Sequence, residues 1–392
     1  MTNRPVGIDA LSFYAPAYYL DLDVLAEARG VDPNKYRIGL GQERMAIAPP
    51  DEDVVTMGAS AAQPLLDMTD PQRIEWVLFA TETGVDQSKA AALFVHGLLD
   101  LPVRCRAVEM KEACYGGTAA LRLAVEWARN HPRRQALVIA SDIARYDLRS
   151  PGEPTQGAGA VAMLVGSDPR LVALDEEAGL YTEDVMDFWR PNYRNAALVD
   201  GQYSTRVYLS ALEQAWRHYV EVSGRGWNEF SRFCYHLPFT RIAEKAQSRL
   251  ARIAGVPAPG PEGIHRLVEE TLRYNRLTGN TYAASLYEGL TSLLDHAEED
   301  LGGRRIAFYS YGSGCAAEFF SGTVMPGYRE HVRGKRHREM LESRTALAYQ
   351  QYEDIMNLPF PTDGGDHVFA QYRTGPYRLA GLSQHKRIYE TL

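Results

Sequence analysis

Val108-Glu-Met-Lys-Glu-Ala-Cys114-Tyr-Gly-Gly-Thr-Ala-Ala-Leu-Arg-Leu-Ala-Val125 runs from an apolar strand-like segment into a helix, and a cysteine stands at the junction. The helical spacing of Ala120, Leu121, Ala124, Val125 and Ala128 puts Cys114 at or just before the first turn. Unpaired backbone N–H groups and the positive helix end there favour a thiolate over a thiol. Gly116 and Gly117 let a second chain segment or a ligand approach closely. A cysteine so placed is either a small buried hydrophobe or a nucleophile, and its partners decide which.

Outward from this junction, short apolar runs predict buried strands at Trp76–Ala80, Ala136–Ala140, Ala160–Val165, Phe233–His236 and Ile306–Ser310. Helical patterns lie between them at Val54–Leu66, Ala90–Leu99, Ala119–Asn130, Tyr203–Val222, Ile242–Ile253 and Ala283–His296. Such alternation predicts an α/β architecture with helices covering a sheet. The strongest loop, Val256-Pro-Ala-Pro-Gly-Pro-Glu-Gly263, sits between helices, and no Pro-, Gly- or Ser-rich linker separates independent domains. The order of events also occurs twice. A strand ends in Ala80-Thr-Glu82, then Cys114 opens a helix and a strand follows; later a strand ends in Tyr235-His236, then Gly279-Asn280 opens a helix and a strand follows. Under a pseudo-twofold, Glu82 matches His236 and Cys114 matches Asn280, so four polar residues meet at one site.

The chain of 392 residues has ample material for a core, as one large domain or two ordinary ones. Its four cysteines lack CxxC spacing, the N-terminal MTNRPVGIDALSF has no basic segment leading into an apolar one, and no apolar run spans a bilayer. The expectation is a soluble cytoplasmic protein in a reducing compartment, with no membrane partner. A net charge of −8 argues against nucleic acid, because a phosphate backbone wants a basic face.

Acyl transfer through a cysteine needs a thiolate, a nearby base or cation, and donors aimed at the oxygen that becomes negative. Cys114, His236 and Asn280 supply those types. His236 stands at a strand end two residues before Pro238; Asn280 follows Gly279 and reads equally as a helix N-cap. The loop Tyr311-Gly312-Ser313-Gly314-Cys315 offers backbone N–H groups to an oxyanion, or is a tight turn. Glu82 discriminates among chemistries: a carboxylate closing the apolar run Val77–Ala80 is poorly solvated, which raises its pKa towards that of a useful general base.

With these residues in place, Ala80-Thr-Glu82-Thr-Gly-Val-Asp-Gln-Ser-Lys89, Glu112-Ala-Cys114-Tyr-Gly-Gly-Thr118, Gly152-Glu-Pro-Thr-Gln-Gly-Ala-Gly-Ala-Val-Ala-Met163, Asp187-Phe188-Trp-Arg-Pro191, Tyr235-His236-Leu-Pro-Phe-Thr240, Gly279-Asn280-Thr-Tyr282 and Tyr311-Gly-Ser313-Gly314 together resemble 3-hydroxy-3-methylglutaryl-CoA synthases of the bacterial type. The resemblance runs from about Gly7 to Tyr328, with echoes near Gly364–His367 and His385–Tyr389. It implies a thiolase-like fold, two duplicated halves in a layered αβαβα arrangement, and a homodimer. The halves fall at residues 1–166, carrying Glu82 and Cys114, and 167–392, carrying His236, Asn280 and Ser313 with helical insertions and a tail.

By the same resemblance Cys114 is the acetylated nucleophile, Glu82 the general acid/base, and His236 the residue that positions acetoacetyl-CoA. Asn280 bonds the acetoacetyl group, the backbone around Cys114, Gly312 and Ser313 meets an oxyanion, and Tyr146 and Phe188 shape the acetyl pocket. The substrates are acetyl-CoA and acetoacetyl-CoA, no metal or redox cofactor is required, and the product feeds the mevalonate pathway. Lys35, Arg37, Arg241, Lys245 and Arg249 are candidates by position for the CoA phosphates, or are solvated faces. The basic run Arg329–Arg344 reads as an exposed helix. Cys315 departs from the serine of many relatives and is shared with synthases that act on acyl carrier proteins in polyketide assembly, which leaves a carrier protein as the alternative acceptor. A silent acyl-channelling scaffold is the reading outside enzymology.

Overall fold

The computed structural model describes residues 4–257 and 259–392, so Met1–Asn3 of the N-terminal segment and Ala258 of the predicted loop lie outside the described residues. The first half reads β1 (Val6–Tyr14), α1 (Val54–Leu66), β2 (Ile74–Ala80), α2 (Ala91–Leu98), β3 (Arg106–Met110), α3 (Gly116–Arg129), β4 (Gln135–Ala144) and β5 (Gly157–Ser167). The second reads β6 (Val172–Thr182), α4 (Gly201–Ser223), β7 (Arg232–Tyr235), α5 (Arg241–Ile253), α6 (Pro261–Val268), α7 (Ser285–His296), β8 (Arg305–Gly312) and β9 (Ala316–Val324). Helices α8 (Gly334–Glu342) and α9 (Tyr349–Asn357) and the hairpin β10 (Tyr377–Ser383)–β11 (Lys386–Thr391) complete the chain.

The strands join in a nine-stranded sheet of order β7-β8-β9-β6-β1-β5-β4-β2-β3. Outward from its centre the first half reads β1-β5-β4-β2-β3 and the second β6-β9-β8-β7, so the duplication is present in the topology. Directions repeat as well: β2 and β4 are parallel, as are β7 and β8, while β4/β5 and β8/β9 are antiparallel. The halves meet where β1 and β6 pair antiparallel at Gly7–Ala173 and Ile8–Val172.

Strand periodicity sorts each half-sheet into two apolar faces. Leu78 and Ala80 of β2 point to a central layer with Leu121 and Val125 of α3, Leu286 and Leu290 of α7, and Phe308 of β8. Val77 and Phe79 point the other way, against Val55 and Met57 of α1 and Val95 of α2. On the far side Phe233 of β7 and Tyr309 of β8 pack under Leu212 and Trp216 of α4 and Leu250 of α5. Helix, half-sheet, helix pair, half-sheet, helix: this is the αβαβα order of the thiolase-like fold. It leaves the N-terminal ends of α3 and α7 together at the carboxyl ends of the parallel strands.

Helix α1 has the range its periodicity predicts, opened by an Asp53–Thr56 capping box. Strands β1, β6 and β9 escape an apolar-run criterion because they carry Asp9 and Ser12, Asp175 to Glu177, and Glu318. The basic run departs from expectation. Only part of it is helical, as α8, and His337 and Arg344 are buried: the Arg344 guanidinium donates to the Leu277 carbonyl at 3.0 Å. Among the described residues no helix is long and apolar enough to cross a membrane.

Candidate active site

Cys114 lies in the turn between β3 and α3, two residues before the helix begins, after Ala113 at φ 39°. Its thiol donates to Glu82 Oε1 at 3.2 Å. The hydrogen-bond partner of the nucleophile is therefore a carboxylate, not an imidazole. Burial first, then the charges of Glu82, Asp142 and Asp187, push the Cys114 thiol well above its usual range. This corrects the expectation from the helix end alone: the resting cysteine is a thiol. Glu82, two residues beyond β2, is pushed up to about 8, chiefly by burial and secondly by Asp142; the Cys114 hydrogen bond and the Arg190 charge oppose the rise. At neutral pH the cysteine is therefore a thiol and the carboxyl is mostly protonated, with a minor ionised fraction.

Asp142 anchors this arrangement. Its Oδ1 accepts from the Thr81 hydroxyl at 2.7 Å, the Glu82 N–H at 2.9 Å, and the Thr83 N–H and hydroxyl at 3.0 and 2.7 Å, while Oδ2 accepts from the Ala283 N–H at 3.1 Å. One carboxylate therefore ties the Glu82 loop to the approach of α7 in the other half. Burial raises its own pKa to about 6 against those donors. Sequence reasoning missed Asp142 because it ended β4 at Ala140; the strand runs on to Ala144, and the signal was a polar Ser141-Asp142 pair closing an apolar run.

The remaining candidates enter through close backbone contacts. A Cβ on Gly117 would lie 2.6 Å from the Ala283 carbonyl, so α3 meets the segment before α7 backbone to backbone. A Cβ on Gly312 would lie 2.6 Å from the Glu112 carbonyl and 2.8 Å from the Tyr115 N, which sets the Gly312-Ser313 loop against the Cys114 turn. Asp187, buried, holds that loop through the Tyr311 hydroxyl at 2.8 Å and the Gly314 N–H at 3.0 Å; the motif around it was legible, its anchoring task was not. His236 follows β7 and is buried, with Nδ1 lacking a hydrogen-bond partner. Burial lowers its pKa to about 3, so its ring is neutral. The Leu237 N–H donates to Ser285 Oγ at 2.9 Å, tying the His236 segment to the start of α7.

Asn280 is buried and its Oδ1 accepts from the Tyr282 N–H at 2.8 Å, at the start of the 3-10 turn Tyr282–Ala284 ahead of α7. The ring of Phe188 stands edge-on to both Tyr146 and Tyr282, with centroids 6.4 and 5.7 Å apart. Tyr146 is fixed from behind: its N–H donates to Gln156 Oε1 at 2.8 Å, and Gln156 bonds Tyr352 of α9.

A cavity of about 490 Å³ begins four residues beyond His236 and is lined by Arg37, Gly41, Arg44, Thr240, Arg241 and Arg276. It brings together Arg37 and Arg241 of the predicted basic residues and adds Arg44 and Arg276. Arg37 pairs with Asp23 and Arg241 with Glu244. Lys35 is exposed, and the Lys245 ammonium lies over the Phe239 ring at 5.6 Å. Arg249 lies outside this lining and pairs with Glu213 of α4.

Residues 2–170 match the hydroxymethylglutaryl-coenzyme A synthase N-terminal family, and residues 172–253 and 262–362 match its C-terminal family. The chain belongs to the hydroxymethylglutaryl-CoA synthase family. It is 43% identical over 358 residues to the hydroxymethylglutaryl-CoA synthase of Enterococcus faecalis, covering 91% of this chain and 93% of that one. It is 35% identical over 367 residues to the polyketide biosynthesis 3-hydroxy-3-methylglutaryl-ACP synthase PksG of Bacillus subtilis (strain 168), covering 88% and 87%. A crystal structure of an HMG-CoA synthase complexed with CoA superposes with a TM-score of 0.94 at 41% identity, covering 99% of this chain and all of the other. Hydroxymethylglutaryl-CoA synthases are acyl-condensing enzymes, and the Cys114–Glu82 pair is the part of this site suited to that chemistry.

Proposed function

We propose that the chain condenses acetyl-CoA with acetoacetyl-CoA to give 3-hydroxy-3-methylglutaryl-CoA and CoA, through an acetyl thioester on Cys114. The observation that carries this reading is the 3.2 Å hydrogen bond from Cys114 Sγ to Glu82. In the first step the thiol gives its proton to Glu82 and sulfur attacks the acetyl carbonyl, and the CoA sulfur leaves with a proton. In the second, Glu82 removes a proton from the acetyl methyl; the carbanion attacks the ketone carbon of acetoacetyl-CoA, and the ketone oxygen takes up a proton to become the tertiary alcohol. Water then cleaves the Cys114 thioester, returning the thiol and leaving a carboxylate. A carboxyl with its pKa near 8 holds or releases a proton close to working pH, as both steps require.

Within this reading Asn280 and the neutral ring of His236 orient the acetoacetyl group. Backbone N–H groups at Cys114, Gly312 and Ser313 meet the thioester oxygen, while Tyr146 and Phe188 wall the acetyl pocket. The basic cavity takes the CoA phosphates through Arg37 and Arg241, with Lys35, Lys245 and Arg249 outside it. The working unit is a homodimer, because β3 is an edge strand with Val108 exposed. The division of the halves after Gly166 falls one residue before β5 ends.

Intact mass after incubation with acetyl-CoA is expected to rise by one acetyl group in wild type and not in Cys114→Ser. Glu82→Gln is expected to take up acetyl more slowly than wild type and to fail to condense. Wild type without acetylation, or Glu82→Gln condensing at the wild-type rate, overturns the reading. The 35% identity to an ACP synthase favours one second reading, a carrier-protein acceptor. Condensation with an acetoacetylated carrier much faster than with acetoacetyl-CoA would establish it.

A further inference from the structure

Helix α7 carries Glu288 one turn inside its start, wholly buried and without a task in the chemistry assigned above. Both of its oxygens are engaged. Oε1 accepts from the Thr278 hydroxyl at 2.5 Å and Oε2 from the Thr281 hydroxyl at 2.9 Å. These threonines bracket Gly279-Asn280, so a single carboxyl group grips the turn from both sides.

The turn needs such a grip. Gly279 has φ +83° and ψ −158°, a conformation open only to glycine, and a Cβ there would lie 1.9 Å from the Gln156 carbonyl. From the other side, Arg344 donates to the carbonyl of Leu277, immediately before Thr278, while its buried Nη1 has no partner. Burying a carboxyl is unfavourable unless its hydrogen bonds are made, and burial holds the Glu288 pKa up at about 7 against the pull of the two hydroxyls and the Arg344 charge. An apolar side chain would fill the space with less penalty. What it could not do is fix two hydroxyls at a set separation.

We propose that Glu288 is a positioning residue for the second substrate: through Thr278 and Thr281 it fixes the turn that presents the Asn280 carboxamide. The inference rests on the reading that Asn280 bonds the acetoacetyl group. Acetylation of Cys114 uses acetyl-CoA alone, so a residue acting through Asn280 must affect the second half-reaction and spare the first.

The test measures two rates on the full chain: acetyl uptake by intact mass with acetyl-CoA alone, and steady-state condensation with varied acetoacetyl-CoA. For Glu288→Leu, acetyl uptake is expected within about twofold of wild type while the KM for acetoacetyl-CoA rises about tenfold, the scale of one lost buried hydrogen bond. Glu288→Gln is expected to restore KM to within about threefold, because its amide accepts from Thr278 and donates to Thr281. Equal loss in both half-reactions, or an unchanged KM in Glu288→Leu, overturns the proposal. If that variant does not fold, Thr281→Val decides: a raised KM with normal acetylation supports the proposal, and an unchanged KM overturns it. Wild type that fails to acetylate removes the functional reading, and this inference with it.

Discussion

At Glu82 the cost of the chemistry is measurable as stability. Its pKa is about 8 in the folded chain against 4.5 in the unfolded one, so the folded state binds the extra proton between those values. Stability therefore falls as pH rises from about 4.5 to about 8. Glu82→Gln removes that slope. In urea titrations the variant is expected to match wild type near pH 4.5 and to exceed it at pH 8 by on the order of 4 kcal/mol. Equal stabilities at both pH values would show that Glu82 titrates normally. Activity runs the opposite way: proton abstraction needs the ionised carboxylate, only about a tenth of which is present at pH 7. Condensation should climb with pH through about 8, and a flat profile there would remove Glu82 as the base. Cys114, Glu82 and His236 were legible in the sequence because each interrupts or ends an apolar run. Asp142 was not, since its importance lies in donors from Thr81, Thr83 and Ala283, the last of them 141 positions away. Nor does the charge state of Cys114 follow from a helix end alone, because nearby carboxylates and burial outweigh it.

At the scale of elements, helices came through more clearly than strands. Apolar residues at helical spacing name a helix whatever lies around it, and α1 and α5 start within a residue of their predicted ends. Strands β1, β6 and β9 mix acidic residues into their runs because partners elsewhere satisfy them. Glu318 in β9 takes the Tyr115 hydroxyl at 2.8 Å and pairs with Arg122, contacts that no local pattern contains. Close approaches between elements were visible only as glycines of unknown purpose. Gly279→Ala tests one of them. The added Cβ meets the Gln156 carbonyl, so unfolding should come earlier by about 2–4 kcal/mol, with the KM for acetoacetyl-CoA raised as Asn280 moves. Gly201, at the start of α4, is the control: a Cβ there would have no neighbouring atom within 4 Å, so Gly201→Ala should cost nothing. Equal stability of the two variants would refute the constraint at Gly279.

Across the whole molecule the duplication is incomplete, and the missing piece has a consequence. Where the first half inserts β3 between α2 and α3, the second places α6, a helix that packs against β7, all of whose residues are buried. Strand β3, at the other edge, is the more exposed of the two. Arg106 and Val108 are exposed there, Val103 is 91% exposed just before it, and Leu93 of α2 and Leu123 of α3 are exposed on the flanking helices. An open strand edge beside scattered apolar side chains is a template for pairing with another chain, and a second copy offers the same strand about a twofold axis. The same strand leads within four residues to Cys114, so pairing at β3 would also brace the nucleophile turn. Val108→Lys places a charge on that edge. Light scattering after gel filtration should find wild type at the mass of two chains and the variant at one, with acetyl uptake from acetyl-CoA slowed in the variant. A variant that stays at two chains would move the interface elsewhere on the surface. A one-chain variant that acetylates at the wild-type rate would separate assembly from the chemistry at Cys114.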